Sequence, residues 1–143
     1  MAFKFENLEV WKLSVVYIDL IYAIADELPR SEEFNLKSQI KRAATSIALN
    51  IAEGSMGQTD GEQARFLGMA IRSLVETVAC QQLIRHRGLI SSNQPLDDAY
   101  NQAEELSKKL HNFRKAINPQ QTWLREDPIE YVTPPAPTSP TSQ

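Results

Sequence analysis

The stretch Leu8–Leu28, LEVWKLSVVYIDLIYAIADEL, decides the fold. Leu8, Trp11, Val15, Ile18, Tyr22 and Ala25 recur at three- and four-residue steps, so on a helix they line up as one apolar stripe, the expected core face. Asn7 suits an N-cap, and Pro29 disfavours helical geometry in Leu28, which sets the expected ends of this first helix. Leu13, Leu20 and Ile24 make a second apolar row on another side, with Lys12, Asp19 and Asp26 as a narrow polar strip between the two rows. A four-helix monomer does not bury both sides of a helix, so this second row is the candidate contact between identical subunits. A helix buried deep within one subunit is the other reading of the same pattern.

Outward from this stretch, glycine and proline are sparse as far as Pro119 and divide the chain into four helical segments. The second helix is expected to start between Ser31 and Asn35 and to close at Gly54 in the left-handed conformation that ends many helices. Leu36, Ile40, Ala44, Ile47 and Ile51 form its core stripe, and Gln39, Arg42, Ser46, Asn50 and Glu53 make a polar row beside it, flanked by small alanines. The third helix takes Thr59 or Asp60 as its N-cap and continues to about Gly88, with Phe66, Leu67, Ala70, Ile71, Leu74, Val78 and Leu83 as a broad apolar face. The fourth spans roughly Gln94 to Ile117 on a stripe of Leu96, Ala99, Ala103, Leu106, Leu110 and Phe113. The connections are short enough for an all-α, antiparallel up-and-down four-helix bundle over residues 1–118.

Six of the eight prolines fall from Pro119 onward, so residues 119–143 read as a Pro-rich, mostly disordered tail. Trp123, Leu124, Ile129 and Tyr131 within it leave three destinies open: a solvated linker, a segment folded back on the bundle, or a contact with a protein partner.

With 143 residues, 42% of them hydrophobic, the chain supports one domain with its own core. Fifteen Lys and Arg against 18 Asp and Glu give a formal charge of -3, so no global positive field draws it to nucleic acid and any such binding needs a local patch. A single cysteine, Cys80, excludes an intrachain disulfide framework and fits a reducing cytoplasm. Residues Met1 to Asn7 lack the basic start and apolar middle of a secretory signal, and no uncharged apolar run reaches the roughly 18 residues of a membrane span. A soluble cytoplasmic protein is therefore expected.

The supply of catalytic groups is thin. His86 stands between Arg85 and Arg87, His111 beside Lys108 and Lys115, and neither has a second ligand at a metal-binding spacing. Glu53 and Glu76 would make an acid/base pair only if the second and third helices bring them together. The stronger reading joins Gln39, Arg42, Ser46, Asn50 and Glu53 with Ser73 and Glu76 of the third helix in a hydrogen-bonded seam that fixes helix register. The GSMG run at Gly54–Gly57 lacks the spacing and following lysine of a phosphate-binding loop and reads as a helix end and turn. Catalytic residues, cofactors and metals are accordingly not expected.

Basic residues crowd two helix ends: Arg85 and Arg87 on the third, and Lys108, Lys109, Arg114 and Lys115 on the fourth. Such residues answer the helix dipole. They are also the candidate nucleic-acid contacts, because symmetry in an oligomer multiplies a modest patch into a ring.

Three motifs point to a family: FENLEVWKLS (Phe5–Ser14), QIKRAATSIALNIAEGS (Gln39–Ser55) and RFLGMAIRSLVET (Arg65–Thr77). Through them the chain resembles the bacterial four-helix-bundle proteins associated with intervening sequences in 23S ribosomal RNA genes, over roughly Phe3 to Ile117. The resemblance implies an antiparallel bundle assembled into a ring of five subunits, and it brings no enzymatic activity. Similar bundles are the accessory variability proteins of diversity-generating retroelements, where a basic ring engages nucleic acid and a reverse transcriptase. Those relatives are markedly basic and this chain is slightly acidic. The expected function is a non-enzymatic homo-oligomeric scaffold that binds structured RNA or DNA through summed basic patches. The alternative is a protein-interaction scaffold with no nucleic-acid role.

Overall fold

A computed structural model describes residues 3–57 and 59–119. The tail expected over 119–143 therefore lies, apart from Pro119, outside the described residues. Four helices follow one another: α1 (Glu9–Asp26), α2 (Leu36–Gly54), α3 (Asp60–Arg87) and α4 (Gln94–Ile117). Each packs on its neighbours in sequence, and α1 closes the ring against α4, which leaves α1 and α3 facing each other diagonally across the core. This is the expected antiparallel four-helix bundle.

The first helix sits differently from its expected orientation. Its inward stripe is Val10, Ser14, Tyr17, Ile21, Ile24 and Ala25, all buried. Val15 and Tyr22, expected in the core, are 39% and 37% exposed. The stripe was hidden by Ser14, a polar residue in a core position that satisfies itself by donating its hydroxyl to the Trp11 carbonyl at 2.7 Å. The expected N-cap is also displaced. A 3-10 turn over Lys4–Asn7 precedes α1, and Leu8 takes the cap position with no side-chain cap bond.

Glu32 organises the entry to α2. Buried in a short 3-10 turn (Arg30–Glu32), it accepts hydrogen bonds from the Leu36 backbone N–H at 3.3 Å and from Asn35 Nδ2 at 3.0 Å. A carboxylate thus caps the helix from four residues upstream and answers its dipole. The expected core stripe of α2 is buried in full.

The end of α2 differs from the expectation in its chemistry. Gly54 is not left-handed; it is the last helical residue, and Ser55 continues in right-handed geometry. Its lack of a side chain serves contact between helices, because a Cβ there would lie 2.9 Å from the Phe66 Cβ on α3. The left-handed glycine is Gly88 (φ +61°), which closes α3 as expected. At the other end of α3, the Thr59 hydroxyl accepts from the Glu62 N–H at 3.0 Å, fulfilling the expected cap. Leu83, expected in the core, is 50% exposed. The α4 stripe of Leu96, Ala99, Ala103, Leu106 and Leu110 is buried, with Phe113 half-buried beside it.

Gly54→Ala should cost about 1–3 kcal/mol, because overpacking at the α2–α3 contact forces the helices apart. Gly61→Ala, where the nearest atom to an added Cβ is 3.8 Å away, should be neutral or stabilising. Urea denaturation of the two variants beside the parent chain checks the contrast.

Candidate functional site

The expected seam between α2 and α3 forms in part. Gln39 donates its amide to a Glu76 carboxylate oxygen, Ser73 donates to the Ser46 hydroxyl at 2.9 Å, and Asn50 donates to the Ser46 carbonyl at 2.9 Å. The first two contacts hold the antiparallel helices in one register, and the third, within α2, fixes Asn50 beside Ser46. Arg42 and Glu53, expected in the same seam, instead face solvent, and neither makes an ion pair among the described residues. Both stand on the outer side of α2, and Glu53 is also far along the helix from the Gln39–Glu76 contact. Glu76 pairs with Gln39, and Glu53 stands some 14 residues further on, about 21 Å of helical rise away. Glu53 and Glu76 therefore do not form an acid/base pair.

A second polar cluster, absent from the sequence reading, lies in the centre of the bundle. Tyr17 of α1 is wholly buried and reaches across the diagonal, its hydroxyl 2.7 Å from Thr77 Oγ1 and accepting from Gln81 Nε2 at 2.6 Å. Thr77 in turn donates to the Leu74 carbonyl at 2.6 Å. Gln81 Oε1 is buried without a hydrogen-bond partner. Desolvation, only partly offset by the Thr77 and Gln81 hydrogen bonds, pushes the Tyr17 hydroxyl up to about 12 from 10.0. The neighbouring Cys80 thiol is buried as well, and burial, then the charge of Glu76, pushes it up. The signal available in the sequence was the pair Thr77 and Gln81, one helical turn apart on the same stripe as Leu74 and Ile84.

The six candidate nucleic-acid contacts do not form one patch. Arg85 and Arg87 lie at one end of the bundle and Lys108, Lys109, Arg114 and Lys115 near the other. Arg85 is 2.7 Å from Asp97 in the first turn of α4, and the 18 residues from Asp97 to Lys115 rise about 27 Å. Among the described residues, Arg85 is neutralised by Asp97, Arg87 by Glu32 at 3.4 Å, and Lys109 by Glu9 at 3.2 Å. The Arg114 guanidinium packs over Gly68, 3.3 Å from where a Cβ would stand, which anchors the end of α4 on α3. Lys108 and Lys115 are exposed and make no ion pair among the described residues.

The expected subunit contact needs correction too. Ile24 is completely buried in the chain's own core, and Leu13 and Leu20 pack half-buried against that core. The rotation of α1 that brings Ser14 and Tyr17 inward carries this row toward the interior. Exposed apolar side chains lie elsewhere, among them Leu49 on α2 (57% exposed), Met56 in the turn that follows it (65%) and Val75 on α3 (62%). Leu49 lines a shallow groove of about 560 Å³ with Tyr22, Thr45, Arg42, Asn50 and Glu53. Its α1 edge is pinned by the Tyr22 hydroxyl 3.1 Å from Thr45 Oγ1 and by Lys41, which lies 4.9 Å above the Tyr22 ring and 3.1 Å from Asp26. Two residues expected in the seam, Arg42 and Glu53, thus belong to this open groove.

Among the described residues no helix is long and apolar enough to cross a membrane, and no group of three or more His, Cys, Asp or Glu is placed to share a metal ion. Residues 6–112 match the family described as 23S rRNA-intervening sequence protein. The bundle is similar to the crystal structure of a protein with unknown function from the S23 ribosomal protein family of Bacteroides thetaiotaomicron VPI-5482, at 26% identity and a TM-score of 0.67. That likeness covers 74% of this chain and 98% of the other. No curated protein matches the chain.

Tyr17→Phe should destabilise the fold by about 1–3 kcal/mol, because it leaves the Gln81 amide buried without its acceptor. The pH dependence carries a definite sign. The folded-state pKa lies above the unfolded value, so the contribution is complete below about pH 10 and fades as the pH rises through about 12. Roughly 3 kcal/mol should be lost across that window, at 1.36 kcal/mol per pKa unit, and denaturation curves should show Tyr17→Phe removing most of the slope.

Proposed function

The chain belongs to the 23S rRNA-intervening sequence protein family, and on that premise we propose that it works as a non-enzymatic, cytoplasmic, homo-oligomeric scaffold that binds structured RNA or DNA by pooling charge across subunits. The observation that carries the reading is the groove around Leu49. Exposed apolar side chains flank an arginine and a glutamate that make no ion pair among the described residues. A second copy laid against this surface covers Leu49 and supplies counter-charges for Arg42 and Glu53, the pairing that gives an interface its specificity. The subunit contact so placed runs along α2 and not along Leu13, Leu20 and Ile24. Five subunits, the number implied by the family resemblance, bring five copies of the exposed Lys108 and Lys115 into one assembly. The field of such an array exceeds that of a single slightly acidic chain.

The protein is expected to run in solution at a multiple of its 16.2 kDa, and Leu49→Glu should shift it to the single-chain mass with its helical content intact. Light scattering coupled to size exclusion, with circular dichroism as the folding control, reads both; a strictly single-chain parent at high concentration would sink the scaffold. RNA retained at low salt should be released steeply as salt rises. Alanine at Lys108 and Lys115 together should weaken retention without unfolding the bundle, whereas a parent that retains no RNA leaves the protein-interaction scaffold as the better account.

A further inference from the structure

We infer that the groove between the start of α1 and the last turns of α4 is a docking site for this chain's own segment Trp123–Tyr131. The groove, of about 400 Å³, is lined by Leu8, Val10 and Phe113, with Glu9, Lys109 and Asn112 at its rim. Phe113 is only half-buried, so an aromatic ring has a partner there and the floor is apolar.

The occupant is chosen by reach and by charge. The described chain ends at Pro119, six residues beyond Phe113, so the end of α4 stands about 9 Å along the axis from the groove. Asn118 lies on the α3 side, 3.8 Å from the Cβ position of Gly61, which adds one interhelical step of about 10 Å. Four residues, Gln120 to Trp123, can reach at most about 13 Å, which is enough for the diagonal of those two distances. Trp123 is thus the first large apolar side chain able to arrive. After it come Leu124, Ile129 and Tyr131, interleaved with Glu126, Asp127 and Glu130 against a single Arg125. The acidic composition of this segment complements the exposed Lys108 and Lys115 on the same part of α4. A further groove at this end, by Met56 and Phe66, is lined by Glu53 and Glu62 and by no cation, and suits an acidic segment less well. A short tether also holds the segment at millimolar effective concentration, so a site of modest intrinsic affinity is filled. The docking does not depend on nucleic-acid binding, and it concerns residues beyond the family match, which ends at 112.

Trp11→Phe in the full-length chain leaves Trp123 as its one tryptophan. Trp123 emission should then be blue-shifted and shielded from acrylamide. Adding Phe113→Ser, or Leu8→Ser if the first variant loses helical content, should return it to solvent-like emission with severalfold faster quenching, while circular dichroism stays unchanged. Solvent-like emission in the folded Trp11→Phe chain would overturn the inference, as would shielding that survives both groove substitutions. Refolding the Trp11→Phe/Phe113→Ser chain with an excess of Trp11→Phe/Trp123→Phe separates the destinations. No recovered shielding places the segment in its own subunit, and recovered shielding gives it to a neighbouring copy and refutes the intramolecular site.

Discussion

Tyr17 carries a hydroxyl into the middle of an apolar bundle, and the rest of the structure is arranged so that it does not go unpaired. A phenol taken out of water without a partner costs several kcal/mol on scales where nothing else can hydrogen-bond. Thr77 and Gln81 remove most of that cost, and they sit on the helix diagonal to α1, not on one beside it. The bond therefore fixes α1 in rotation and in height relative to α3. A slide of one turn, or a rotation that put Val15 and Tyr22 inward, would strand three polar groups in the core. Hydrophobic burial drives the four helices together, but it is nearly indifferent to such slides. The polar clamp supplies the discrimination.

That constraint propagates outward. Once Tyr17 points at α3, Ile21 and Ile24 must follow it inward at helical spacing, and Leu13 and Leu20 turn to rest against the chain's own core. Tyr22 is left at the surface, where Thr45 and Lys41 of α2 hold its ring at the edge of the Leu49 groove. Between α2 and α3 the second constraint is size: Gly54 against Phe66, and Ser46 against Ser73, allow a close approach that larger residues would prevent. Diagonal register and close neighbour packing together settle which side chains remain outside.

The helices, their order and most of their ends were legible in the sequence because periodicity and capping act locally. Thr59, Gly88 and the stripes of α2 and α4 behave as their spacing predicts. What escaped were features in which a polar residue does the work of an apolar one, or a distant residue does the work of a local one. Ser14 and Tyr17 broke the apolar count on α1 and shifted the inferred face by part of a turn. Glu32 caps α2 from outside it, and Gly54 answers to Phe66 rather than to its own backbone. The candidate site suffered in the same way. The charge clusters at the ends of successive helices lie at opposite poles, and Arg85, Arg87 and Lys109 among them are paired with carboxylates from other elements.

Cys80 sits one residue before Gln81, inside the same clamp, 4% exposed and held as the neutral thiol by its surroundings. The nucleophile in disulfide exchange is the thiolate, and it must be reachable. While the helices stay together this sulfur is chemically silent, and two intact molecules have no means of cross-linking through it. A covalently joined pair is therefore a record that both members had opened, which makes the lone cysteine a permanent witness to the breathing of the bundle.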